Sequence, residues 1–129
     1  MLEGYKDYLY GICEWLGFTE KENGMENNEY QVWTEQTAIY PKDKALEYLS
    51  LGLASEVGEV TGKVKKFIRD GIPADYKDQL SSELGDVLWY IARILSEEGI
   101  TLSSCMEKNK EKLMARKAKG TLNGSGDHR

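Results

Sequence analysis

Apolar residues recur every three or four positions along most of this chain, the spacing of helices with one buried side. The longest run is Leu49, Leu53, Val57, Val60, Val64, Phe67 and Ile68. It predicts a helix over 44–70, with Asp43 as its cap. Gly71 supplies a stop and Pro73 a turn. A second run, Leu80, Leu84, Val87, Leu88, Ile91, Ile94 and Leu95, predicts a helix over about 76–98. Gly99 follows and Thr101 can cap a further helix over about 102–118, with Leu102, Met106 and Leu113 as its stripe. Upstream, a helix from Glu29 to about Ile39 puts Tyr30, Trp33 and Thr37 on one side, and Tyr40-Pro41 ends it. Residues 2–16 predict a short helix weakened by Gly11, and 17–28 a loop. No segment alternates as a strand would. The fold class is therefore all-α, an antiparallel helical bundle.

Within the two longest runs a motif repeats. Ser55-Glu56-Val57-Gly58-Glu59-Val60 reappears 27 residues later as Ser82-Glu83-Leu84-Gly85-Asp86-Val87. Each copy sets two carboxylates at i and i+3 on one helix face. Each also places a glycine between them, which costs a helix interior ~1 kcal/mol relative to alanine. Two such costs at matched positions suggest the close approach of some other group. At ~100° per residue Glu56 lies only ~40° from Val60, and Glu83 stands in the same relation to Val87. Glu59 and Asp86 sit further toward the polar side. Glu59 and Glu83 are each 12 residues from Gly71, and Glu56 and Asp86 each 15. An antiparallel hairpin thus brings four carboxylates to nearly one height. Left alone they repel and resist ionising together. A hard divalent cation such as Mg²⁺ removes the conflict. One E-x-x-E pair is ordinarily just a solvated helix face; two matched pairs, equidistant from a turn, point to a metal site.

Composition narrows the chemistry. The 129 residues suit one domain, and the formal net charge of −5 repels a nucleic-acid backbone. A small anionic substrate then needs metal or a local basic cluster. His128 is the only histidine, which argues against His-ligated zinc, His-based triads and Glu-x-x-His di-iron sites. Cys13 and Cys105 form no metal-ligand spacing and read as free thiols in a reducing compartment. No run spans a bilayer and the N-terminus lacks a signal-peptide pattern, so the expected location is the cytoplasm, with no membrane partner.

The residues ASEVGEVTGKVKKFIRDG followed by SSELGDVLWYIARIL resemble the all-α NTP pyrophosphatases, a superfamily of MazG-like enzymes, dimeric dUTPases and phosphoribosyl-ATP pyrophosphohydrolases. The resemblance takes in NEYQVWTEQTAIYP upstream, and Asn109, Lys112, Leu113, Arg116, Gly120 and the GSGD-x-R ending downstream. It covers roughly residues 28–129 and is best with the compact MazG-like group. It implies a four-helix core assembled as a homodimer or homotetramer, with 28–118 as the catalytic domain. Residues 1–27 are then an N-terminal extension and 119–129 a Gly-rich tail, loosely ordered unless a partner or ligand fixes it. It implies cleavage of a nucleoside triphosphate to monophosphate and pyrophosphate. Glu56, Glu59, Glu83 and Asp86 match the family's ligands for Mg²⁺, with Mn²⁺ as a substitute.

Further candidates carry ordinary explanations beside functional ones. Lys63 and Tyr90 follow Glu59 and Asp86 by four residues and could meet phosphate and sugar; the ordinary explanations are an i,i+4 pair with Glu59 and core packing. Lys66, with Lys65 and Arg69, forms a basic patch that also suits the helix dipole. Asn109, Lys112 and Arg116 form a stripe that by resemblance faces phosphates, although Arg116 could pair with an acidic neighbour. Gln31 and Trp33 fall where relatives line the base pocket, and core packing competes for each. Trp89 reads as core or subunit interface. Three rival readings remain: a dUTPase-like enzyme, a metal-dependent nucleotide sensor that binds without cleaving, or a purely structural helical bundle.

Overall fold

The computed structural model describes residues 25–127. The short helix expected at 2–16, most of the loop at 17–28 and Arg129 lie outside the described residues. Within them the chain is helical: α1 (Asn27–Trp33), α2 (Ala45–Asp70), α3 (Tyr76–Glu97) and α4 (Leu102–Lys119), with 3₁₀ turns at Thr34–Thr37 and Lys42–Lys44. No strand occurs among the described residues. None of these helices is long and apolar enough to cross a membrane.

Boundaries follow local chemistry. Gly71 ends α2 at φ 95°, its N–H reaching back 3.0 Å to the Phe67 carbonyl; this left-handed backbone favours a residue without Cβ. Thr101 caps α4, its Oγ1 accepting from the Ser104 N–H at 3.1 Å. Two expectations need correction. The first helix does not run from Glu29 to Ile39; it starts at Asn27 and tightens into 3₁₀ after Trp33. The threonines explain the change, because Thr34 Oγ1 donates to the Gln31 carbonyl at 2.6 Å and Thr37 Oγ1 to Thr34 at 3.2 Å. Asp43 does not cap α2 either. It sits inside a 3₁₀ turn closed by Lys44 N–H on the Pro41 carbonyl, and the cap position falls on Lys44 with no side-chain bond.

Helices α2 and α3 form an antiparallel hairpin, and α1 packs across α3 and α4. Near the turn Phe67 and Tyr76 meet edge to face at 6.3 Å. The core sits at the other end, where Tyr40, Ala45 and Leu49 are buried with Ala38, Trp89, Tyr90 and Ile94 against them. There Arg93, 2% exposed, donates to Tyr40 Oη (3.0 and 3.2 Å) and Thr34 Oγ1 (3.3 Å), and pairs with Glu35 (2.6 Å) and Glu97 (3.3 Å). Tyr40 Oη donates to Glu97 in turn. One guanidinium thus ties the α1–α2 connection to α3.

Helix α4 leans on α1, and much of the expected apolar stripe stays partly exposed among the described residues. Val57, Leu84, Leu88 and Leu113 are 45%, 48%, 51% and 42% exposed.

Candidate metal centre

Facing positions of the α2–α3 hairpin carry the acidic motif. Glu56, Glu83 and Asp86 each offer a carboxylate oxygen, and these atoms lie within 4.8 Å of one another. Glu56 and Glu83 are partly buried, Asp86 exposed. Burial, followed by the charges of Asp86, Glu83 and Glu59, raises the Glu56 carboxyl above its ordinary pKa. Glu59 stands outside the three-carboxylate group and is exposed; its charge is felt at Glu56 without its oxygens joining the set. All three donors are hard oxygens, with no cysteine or histidine among them, which suits Mg²⁺ or Mn²⁺ over zinc.

Lys63 does not form the expected i,i+4 pair with Glu59. It crosses to α3, placing Nζ 3.3 Å from Glu83 Oε1.

Tyr90 lies next to the cluster. Burial raises its phenol pKa, with the charges of Tyr48, Glu56 and Asp86 adding to the effect. Its ring meets Trp89 edge on at 4.9 Å and covers Gly52, where a Cβ would fall 2.1 Å from the ring. This close approach lies outside the motif, not at the motif glycines where the sequence suggested one. At Gly58 and Gly85 an added Cβ would meet nothing within 4 Å. Tyr30 is also within electrostatic reach, its phenol pKa raised by burial and then by Asp86. Trp33 stacks on Tyr30 at 5.9 Å and is 42% exposed.

Other candidates are placed elsewhere. Gln31 is buried, and its amide is committed to the fold: Nε2 donates to Ser96 Oγ (3.1 Å) and the Ile100 carbonyl (2.8 Å), while Oε1 accepts from the Leu102 N–H at 2.7 Å. It clamps α1 to the α3–α4 connection, beside a hollow it lines with Val32, Glu35 and Arg93. Lys66 lines a shallow hollow at the hairpin turn with Phe67, Asp70 and Ile72. Arg69 of the same patch binds Asp70 through Nε and Nη2 at 2.8 and 2.7 Å. Trp89 packs on the core and donates Nε1–H to Thr37 Oγ1 at 2.7 Å. Asn109 is exposed on α4, at a hollow shared with Tyr30, Leu88, Ile91 and Met106.

Lys112 and Arg116 both meet the chain's own tail. Arg116 Nη2 donates to Asp127 Oδ1 at 3.1 Å and to the Asp127 carbonyl at 3.2 Å, and Lys112 Nζ lies 3.7 Å from the same carboxylate. The bond to Arg116 is the main reason the Asp127 carboxyl is held below its ordinary range. Through Asp127, then, the tail contacts α4. Arg116 does pair with an acid, as its ordinary explanation required.

Sequence reasoning missed Gly52 and Arg93, and it took in Asp127 only as part of the GSGD-x-R ending. Arg93 left a signal, a cation inside the apolar run LWYIARIL.

Residues 44–121 match the family described as MazG nucleotide pyrophosphohydrolase domain. The chain is also 40% identical over 114 residues to the Gene 37 protein of Mycobacterium phage L5, a span covering 81% of this chain and 100% of the relative. No solved structure matches.

Proposed function

Since the chain belongs to the MazG nucleotide pyrophosphohydrolase family, we propose that it is a Mg²⁺-dependent hydrolase of the α–β phosphoanhydride of nucleoside triphosphates, releasing a nucleoside monophosphate and pyrophosphate. The observation that carries this reading is the convergence of Glu56, Glu83 and Asp86 to within 4.8 Å in a chain of that family. These three residues would hold the ion, with Glu59 adding charge and reaching it by a change of rotamer. When bound, the ion would neutralise the polyphosphate and acidify a coordinated water. The chain's own residues do the rest. One of the glutamates orients the attacking water, Lys63 meets phosphate, and Tyr90 and Trp33 border sugar and base. Asn109, Lys112 and Arg116 extend a polar and basic line along α4.

The proposed working form is a cytoplasmic homodimer or homotetramer. Uncovered Val57, Leu84 and Leu88 on the hairpin support this, because a surface this apolar gains by burial against a second copy.

The deciding assay measures pyrophosphate from a panel of canonical and damaged nucleoside triphosphates, with Mg²⁺ and with chelator. Metal-dependent pyrophosphate, rather than phosphate, is the expected product. A folded, metal-binding sample that releases none would replace the enzyme reading with a nucleotide sensor.

A further inference from the structure

The cross-helix reach of Lys63 has consequences for the metal site. Its Nζ lies 3.3 Å from Glu83 Oε1, and the two side chains are 30% and 17% exposed. Glu83 is one of the three carboxylates within 4.8 Å. An ammonium group therefore sits against the carboxylates on which a divalent ion would place its charge. The acid nearer in sequence is Glu59, one turn away on the same helix and exposed, where a pair would be worth little. The half-buried partner offers a stronger field, because less water screens it.

From this we propose that Lys63 is the built-in counter-cation of the metal centre. It neutralises Glu83 while the site holds no metal, competes with the incoming ion for that carboxylate, and is released toward the nucleotide phosphates as the ion binds. This rests on the reading of the acidic cluster as a metal site. Two cations a few ångströms apart repel, so the lysine lowers affinity for the bare ion. Once released, the same charge favours a polyphosphate. Metal and nucleotide are thereby positively coupled, and by linkage each raises affinity for the other. The hairpin also keeps its acidic faces together without a ligand, since one of the repelling charges is already offset.

The test is binding of Mn²⁺ to the full chain without nucleotide, followed by water-proton relaxation. Wild type, Lys63→Met, Lys63→Gln and Lys63→Arg are compared, with helix content checked by circular dichroism. A second titration, at saturating Mn²⁺, uses a nucleoside triphosphate whose α–β bridge is a non-hydrolysable methylene. Both neutral variants should bind the bare ion about tenfold tighter and the analogue more weakly, while Lys63→Arg stays near wild type in both. Folded neutral variants with unchanged or weaker Mn²⁺ affinity would overturn the proposal, as would analogue binding that does not fall. A wild type that binds no Mn²⁺ removes the metal centre and this role together. A wild type that binds Mn²⁺ but releases no pyrophosphate removes only the proposed reaction, and the Mn²⁺ titrations still decide the lysine's role.

Discussion

The two ends of the α2–α3 hairpin treat charge in opposite ways. At the core end Arg93 is 2% exposed and surrounded by oxygen from Tyr40, Thr34, Glu35 and Glu97. The Glu97 carboxyl is held below its ordinary range, first by the hydrogen bond from Tyr40 and then by Lys42. Toward the turn, three carboxylates crowd within 4.8 Å and Glu56 is pushed above its ordinary pKa. Charges that serve the fold arrive with their partners, because an unpaired buried ion is strongly destabilising. Charges left in mutual repulsion beside a half-buried hairpin face mark a place where something else completes the balance.

The largest test of this contrast is to remove the acidic end, where Lys63 offsets only one of the three crowded charges. Asp86→Asn or Glu83→Gln should lower pyrophosphate release by about three orders of magnitude or more, since positioning and charge stabilisation both depend on the ion. Melting in chelator should hold steady or rise for Asp86→Asn, because repulsion is relieved. Turnover within tenfold of wild type in both variants would exclude the cluster from the chemistry. At the compensated end the signs reverse. Arg93→Met should cost about 3 kcal/mol in urea unfolding, leaving Glu97 and Tyr40 without their cation. A loss under about 1 kcal/mol would mean the hub is an ornament of the fold.

The pH dependence sharpens the same contrast. Glu97 is held low, so its stabilisation is present above the ordinary glutamate value of about 4.3 and is lost as pH falls. Glu56 is held high, so its contribution is present below that value and is lost as pH rises through its raised pKa. Melting of the chelated protein from about pH 3 to about pH 8 should show both limbs. Glu97→Gln should flatten the acid limb and Glu56→Gln the neutral one. Identical profiles for both variants would show that the two ends titrate alike.

Helix positions were legible because period and stop signals agree: α3 ends at Glu97 and α4 starts after Thr101, within a residue of expectation. The motif also located Glu56, Glu83 and Asp86. Equidistance from Gly71 set their height on the hairpin but not their rotation about the helix axis, so Glu59 was expected in the group and stands outside it. Long-range bonding was illegible. Arg93 meets Tyr40 and Thr34 across 53 and 59 residues, and no local pattern announces such partners. The bonds of the Gln31 amide to Ser96, Ile100 and Leu102 were hidden for the same reason. The apolar stripes marked the helix faces that carry Leu84 and Leu88, but not that these side chains would be left about half exposed.

The smallest expected effect is at Gly52, and it separates position from stability. A Cβ there would fall 2.1 Å from Tyr90 Cε1 and 2.4 Å from Cζ, so the ring has to move. Trp89 blocks one side at 4.9 Å. Alanine in place of a mid-helix glycine contributes ~1 kcal/mol of helix propensity, which offsets much of the strain. Gly52→Ala should therefore melt close to wild type. Its nucleotide KM should nonetheless rise roughly three- to tenfold, because a misplaced group costs binding even where the fold survives. Tyr90→Phe combined with Gly52→Ala should add less than the two changes taken separately, since both act through one ring. An unchanged KM in folded Gly52→Ala would mean that Tyr90 packs beside the metal centre without touching substrate.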